Sequence, residues 1–108
     1  MASLSNQKIS LNAGALRASG ELQRSDLSAF RHSIASLCAS PCRSIFVDLK
    51  DCSQIGSLFI GELAHAVERM KAGGKDVHVE VSPEVGKLLH MARMYCLFDY
   101  DICAAELR

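Results

Sequence analysis

The chain has no excess of either charge: twelve Lys and Arg stand against twelve Asp and Glu in 108 residues. A neutral domain has no long-range pull toward nucleic acid or an anionic membrane, so neither is expected as a partner. No apolar run approaches the roughly 20 residues that a membrane span needs, so no membrane insertion is expected. Met1 to Asn6 lacks the basic-then-apolar pattern of a secretory leader, and a cytoplasmic setting is the expectation. Phosphate-cradling loops, dinucleotide fingerprints and acid/base pairs at motif spacing are missing as well. The chain is therefore not expected to be an enzyme or to carry a cofactor.

Five cysteines occur, Cys38, Cys42, Cys52, Cys96 and Cys103. Their odd number and irregular spacing suit reduced, mostly buried thiols better than a disulfide framework. Cys38 and Cys42 have no second Cys or His pair at finger spacing, so no metal is expected. His32, His65, His78 and His90 are scattered as surface or half-buried side chains.

Hydrophobic residues make up 49% of the chain, enough for one core. The pattern predicts a hairpin of Lys8–Asn12 and Ala15–Ser19 across an Ala13-Gly14 turn, with Gly20 ending the second strand. Ser25 caps a helix whose stripe is Leu27, Phe30, Ile34 and Leu37, and Pro41 stops it. Ser44–Leu49 is the next strand. Its unbroken run Ile45-Phe46-Val47 predicts cover on both faces.

A second helix follows Gly56, with Ile60, Leu63, Ala64, Val67 and Met70 inward and Gly73-Gly74 as its stop. Asp76–Val81 alternates as a strand. Ser82-Pro83-Glu84 opens a third helix with Val85, Leu88, Leu89 and Ala92 inward and Met91 and Met94 at its edge. Leu97–Ile102 is a last short strand, and Cys103–Arg108 adds a short helix. The order β-β-α-β-α-β-α-β with short loops implies a mixed sheet with right-handed crossovers. One α/β domain is expected over 1–108, with its core at about 8–102 and its helices mainly on one face.

Ser57 stands where a strand turns into a helix. A helix start offers free N–H groups and the positive end of a dipole, both of which stabilise negative charge, including a phosphate on the serine itself. Gly56 is expected to supply backbone angles that let Ser57 protrude. Leu58 is an apolar contact beside it. Phe59 reads as core first and as a partner contact second. Asp48 reads as a structural hydrogen-bond partner. Ser25 and Ser82 have the same helix-start character and are assigned capping alone.

Gly20-Glu21-Leu22, Phe46-Val47-Asp48-Leu49, Ser57, Gly73-Gly74, Ser82-Pro83-Glu84-Val85 and Leu97-Phe98 occur in an order and spacing that resembles the STAS domain. That is the fold of bacterial anti-sigma factor antagonists and of sulfate-transporter tails. The resemblance runs from Lys8 to Ile102. In the antagonist branch it implies signal transduction and transcription regulation by partner switching. The serine at the Ser57 position is phosphorylated by an anti-sigma factor that is a serine kinase, and a cognate phosphatase restores it. Gly56 stands where that branch has Asp, Phe59 stands where it commonly has Gly, and Gln23 stands where it commonly has Asp. The resemblance implies partner contacts at Glu21, Gln23, Gly56, Leu58 and Phe59. The alternative it offers is an unphosphorylated adaptor that docks on the ATPase of a lipid-transport ABC system. A weak dimer is compatible with either.

Overall fold

A computed structural model describes residues 8–91, 93 and 98–103. The hairpin is formed by β1 (Ile9–Asn12) and β2 (Ala15–Glu21), paired antiparallel. Ala13 and Gly14 both have positive φ, 33° and 93°. This is the mirror-image two-residue turn that matches strand twist. Gly20 also has positive φ, but it sits at a register shift inside β2 rather than ending the strand, which runs on to Glu21.

A 3-10 turn, Arg24–Asp26, precedes α1 (Leu27–Ala39). Gln23 occupies the N-cap of that turn and Asp26 the N-cap of α1, so Ser25 is not the cap. Ser40 adopts the extended geometry expected before Pro41 and closes the helix.

Then come β3 (Ser44–Gln54), α2 (Ser57–Ala72), β4 (Asp76–Val81), α3 (Pro83–Met91) and the two-residue β5 (Asp101–Ile102). Gly74, at φ 89°, supplies the left-handed turn after α2. The last strand is shorter than expected: Phe98–Tyr100 form a bend and an irregular stretch, and only Asp101–Ile102 pair. Leu97, the Ala92 and Met94 positions, Cys96 and the tail over 104–108 lie outside the described residues.

The strands lie side by side in chain order, β1-β2-β3-β4-β5, and every pair after the hairpin is parallel. Each crossover therefore steps the same way. Right-handed crossovers that all step one way place all three helices on one face. Leu16, Ala18, Ile45, Val47, Leu49, Val79 and Val81 point to that face and are buried beneath Phe30, Leu37, Ile60, Leu63 and Leu89. Among the helix positions expected inward, Leu27, Ala64 and Leu88 are half-buried, and Phe59 and Ala66 also join the core.

The expected cover on both faces of β3 is not what forms. Phe46 points to the face without helices and is only half-buried, its ring stacked on His78 at 5.6 Å. The apolar run reflects a local aromatic contact there, not a second layer. On the same face Asp48 is 2% exposed. It accepts hydrogen bonds from Arg17 Nε (3.1 Å), Lys50 Nζ (3.0 Å) and the Lys50 N–H (3.0 Å). Lys50 also reaches Glu80, at 3.3 Å. Burial pushes the Asp48 carboxyl upward, but the Lys50 and Arg17 donors outweigh it and hold the group below its ordinary value.

Two predictions follow from this geometry. Ala13→Asn relieves a left-handed alanine and should raise unfolding free energy by about 0.5–1 kcal/mol. Gly14→Ala should lower it, because a Cβ there meets the Cys42 side chain at 3.1 Å. Urea denaturation measures both. The lowered carboxyls of Asp48, Glu80 and Asp26 stabilise the fold above the ordinary carboxylate range, and that stability is lost as pH falls through it. The urea midpoint should thus drop as pH falls from about 5 to about 3, with a shallower dependence in a folded Asp48→Asn variant.

Candidate functional site

The C-terminal ends of β2 and β3 form one rim of the sheet. Glu21 pairs in register with Gln54, and the Leu22 N–H donates to the Gln54 carbonyl at 2.9 Å. Lys8 Nζ donates to the Glu21 carbonyl at 2.7 Å and pairs with Asp26 at 3.0 Å. The Gln23 N–H donates to the Asp26 carboxylate at 2.8 Å. The Asp26 carboxyl is lowered first by that backbone donor and then by Lys8. These bonds tie the Glu21–Gln23 loop to the end of β3, two residues before Gly56. Glu21, Gln23, Gly56, Ser57 and Leu58 are all exposed on this rim.

Phe59 is the exception. It is 3% exposed, and its ring meets Phe30 edge-on at 5.2 Å and 68°. Helical spacing explains the split. Phe59, Ile60 and Leu63 share the inward side of α2, so Ser57, Leu58 and Gly61 turn outward. Phe59 serves as the anchor that fixes α1 against α2 and is removed from the partner contacts. Leu58, 53% exposed, is the apolar side chain that the rim presents.

Gly56 has φ −86° and ψ 166°, extended geometry open to any residue, so it is not what lets Ser57 protrude. A Cβ there would meet only Phe59, at an ordinary 3.9 Å. Exposure of Ser57 comes instead from its place at the first position of α2. The Gly56 carbonyl accepts from the Phe59 and Ile60 N–H groups, at 3.1 and 3.2 Å. The Ser57 and Leu58 N–H groups precede the first intrahelical bonds and face outward.

The three helix starts differ in charge. Asp26 stands at the N-cap position of α1, without a side-chain bond to that helix, and Glu84 lies in the first turn of α3. The start of α2 has no acid in its first turn and no side-chain cap. Its positive dipole end is the one left without an anion among the described helices.

Ser82 behaves differently from Ser57. It is buried, its hydroxyl donates to the Cys52 carbonyl at 2.6 Å and accepts from the Val85 N–H at 3.1 Å. It binds the start of α3 to β3 and is a structural cap, as expected. Asp48 is structural too, on the face away from the helices. Cys52 lies in the core, where burial, then Asp51 and Asp48, push its thiol up to about 12. Cys38, Cys42 and Cys103 are half-buried rather than buried, and all four described cysteines are free. No metal-binding cluster occurs among the described residues, and no described helix is long and apolar enough to cross a membrane.

Sequence reasoning missed the Arg31–Glu62 ion pair, at 2.9 Å, which bridges α1 and α2. Its partners are 31 residues apart, and no local spacing signals such a contact.

The family described as Mlab, STAS domain, matches residues 5–98. No curated protein matches the chain.

The two helix-start serines should respond oppositely to truncation. Ser82→Ala strips a buried donor and acceptor and should cost about 1–3 kcal/mol. Ser57→Ala should stay within about 0.5 kcal/mol of the parent. Paired thermal and urea melts compare them.

Proposed function

The chain belongs to the STAS domain family, and from that premise we propose that it is an interaction module switched by reversible phosphorylation of Ser57. In this reading it acts as an anti-sigma factor antagonist. It binds an anti-sigma factor that is itself a serine kinase, and a phosphatase resets it. The chain is then the substrate of a kinase rather than a catalyst. The observation that carries the reading is the start of α2, where an exposed serine occupies a helix N-terminus with no acid of its own.

A phosphoserine brings close to two negative charges at neutral pH. The dipole and the free N–H groups of α2 stabilise that charge, so the domain keeps its fold. The consequence falls on the bound partner. Leu58 next to the phosphate means that the contact is partly apolar, and a charge placed there is desolvated without a matching cation. Binding weakens while the folded state is spared.

A second reading rests on Leu58 itself and on Gly56. An exposed apolar side chain supports docking with or without phosphate, and the acid that commonly precedes the phosphoacceptor is absent. This favours an unphosphorylated adaptor docked on the ATPase of an ABC transporter.

One experiment separates the two. The protein is incubated with ATP and a serine kinase of the histidine-kinase-like ATPase fold, and phosphate is mapped by mass spectrometry. Label is expected at Ser57 and absent in Ser57→Ala. Ser57→Asp should weaken kinase binding about 10–100-fold, with the melting curve little changed. Absence of label together with unchanged binding in Ser57→Asp rejects the switch. Co-purification with a transporter ATPase that tolerates Ser57→Asp but not Leu58→Asp establishes the adaptor instead.

A further inference from the structure

The sheet face that no described helix covers has an ordered relief. Pairing sets its outward residues in two rows across the strands. One row is Asn12, Ala15, Phe46 and His78. The next is Ser10, Arg17, Asp48, Glu80 and Asp101. β3 is the middle strand of the sheet.

In the first row the two sides of β3 differ in height. On the β4 side stands His78, with 53% of its side chain exposed. On the β2 side stands Ala15, whose small side chain leaves a cleft of about 190 Å³ bordered by Asn12, Arg17, Phe46 and Asp48. A cavity of about 150 Å³ accepts a benzene ring, so an imidazole fits here. In the second row the two sides differ in charge. Arg17 lies on the β2 side, 65% exposed, with only Nε engaged by Asp48. On the other side lie Glu80, 23% exposed and already paired within its own copy with Lys50 at 3.3 Å and His78 at 3.1 Å, and Asp101, 65% exposed and 3.5 Å from His78; Asp76 on β4 adds to them. Asp48 between them is satisfied by its own Arg17 and Lys50.

We propose that this face binds a second copy of the chain about a two-fold axis running along β3. Such an axis lays β2 of one copy over β4 of the other and keeps each row on itself. His78 of each copy then enters the cleft above Ala15 of its partner. Arg17 of each copy meets Glu80 of its partner, with Asp101 beside it. Knob and hole, and cation and anion, sit on opposite sides of the same strand, so one contact is made twice. That self-complementarity is what a two-fold interface requires. A five-stranded face whose outer strands have four and two residues is small against a standard interface. The dimer is therefore weak and depends on charge.

Sedimentation equilibrium tests it on the intact protein. Self-association is expected at about 20 mM NaCl and should weaken at least tenfold at about 500 mM, where the Debye length is far shorter. Ala15→Leu fills the cleft without removing a contact within the copy and should weaken it at least tenfold. Arg17→Glu and Glu80→Lys should each dissociate alone. Mixed together they should regain a heterodimer, because both cross-contacts are then complementary. Circular dichroism verifies that each variant is folded. A monomer up to about 1 mM at low salt, a dimer indifferent to Ala15→Leu, or folded Arg17 and Glu80 variants that fail to rescue one another each overturns the proposal.

Discussion

Every parallel crossover in this chain steps in the same direction, and the rest of the structure depends on that. With right-handed connections, the constraint puts the three described helices on one face and leaves the other without a described helix. It also stacks the C-terminal ends of β2, β3 and β4 along one rim, each feeding the segment that follows. A residue that opens a helix in this fold is therefore on the rim, and a residue on an alternate strand position is either deep core or open sheet. Ser57 and Asp48 are nine residues apart in sequence, yet they lie in environments that share nothing.

The rim has its geometry because polar staples and an aromatic anchor act together. Lys8 and Asp26 hold the start of β1 to the loop after β2, and the Leu22 N–H holds that loop to the end of β3. Phe59 pins the first turn of α2 into the core against Phe30. Burying that ring is worth several kcal/mol, about 3–5 by truncation series, far more than the charge effects at the helix start. The orientation of Ser57 and Leu58 is thus a by-product of burying Phe59. A chain with glycine after its phosphoacceptor must hold the same turn by other contacts. Here the buried Phe59 does it, through its edge-on contact with Phe30.

Much of the fold is legible in the residues. The hairpin at Ala13-Gly14, the limits of α2 and β4, the stop before Pro41 and the cap at Ser82 each follow from a local rule of turn, period or capping. What local rules did not reveal was set by tertiary contact. Ser25 looks like a cap, but Gln23 and Asp26 take the cap positions, and Asp26 also answers Lys8, eighteen residues away. Ile45-Phe46-Val47 looks like a strand covered twice, because periodicity cannot say that the middle residue rests on a neighbouring histidine. Gly56 looks like a conformational hinge until its angles prove ordinary. Ser57, Leu58, Glu21 and Gln23 are exposed on the rim, while Phe59 is claimed by the core.

The two surfaces that matter are separated by the thickness of the sheet. The Ser57 rim belongs to the helical layer and the bare face to the opposite side, so a partner docked at α2 leaves Arg17, Phe46 and His78 accessible. The two proposed contacts would permit assembly by mass action without a shared switch. A phosphate on Ser57 would add charge at the rim, on the side of the sheet away from the ion pairs centred on Asp48. Coupling between the two would need a mobile element joining them. The strand between, β3, is instead paired on both edges and packed into the core, the part of the fold least able to move.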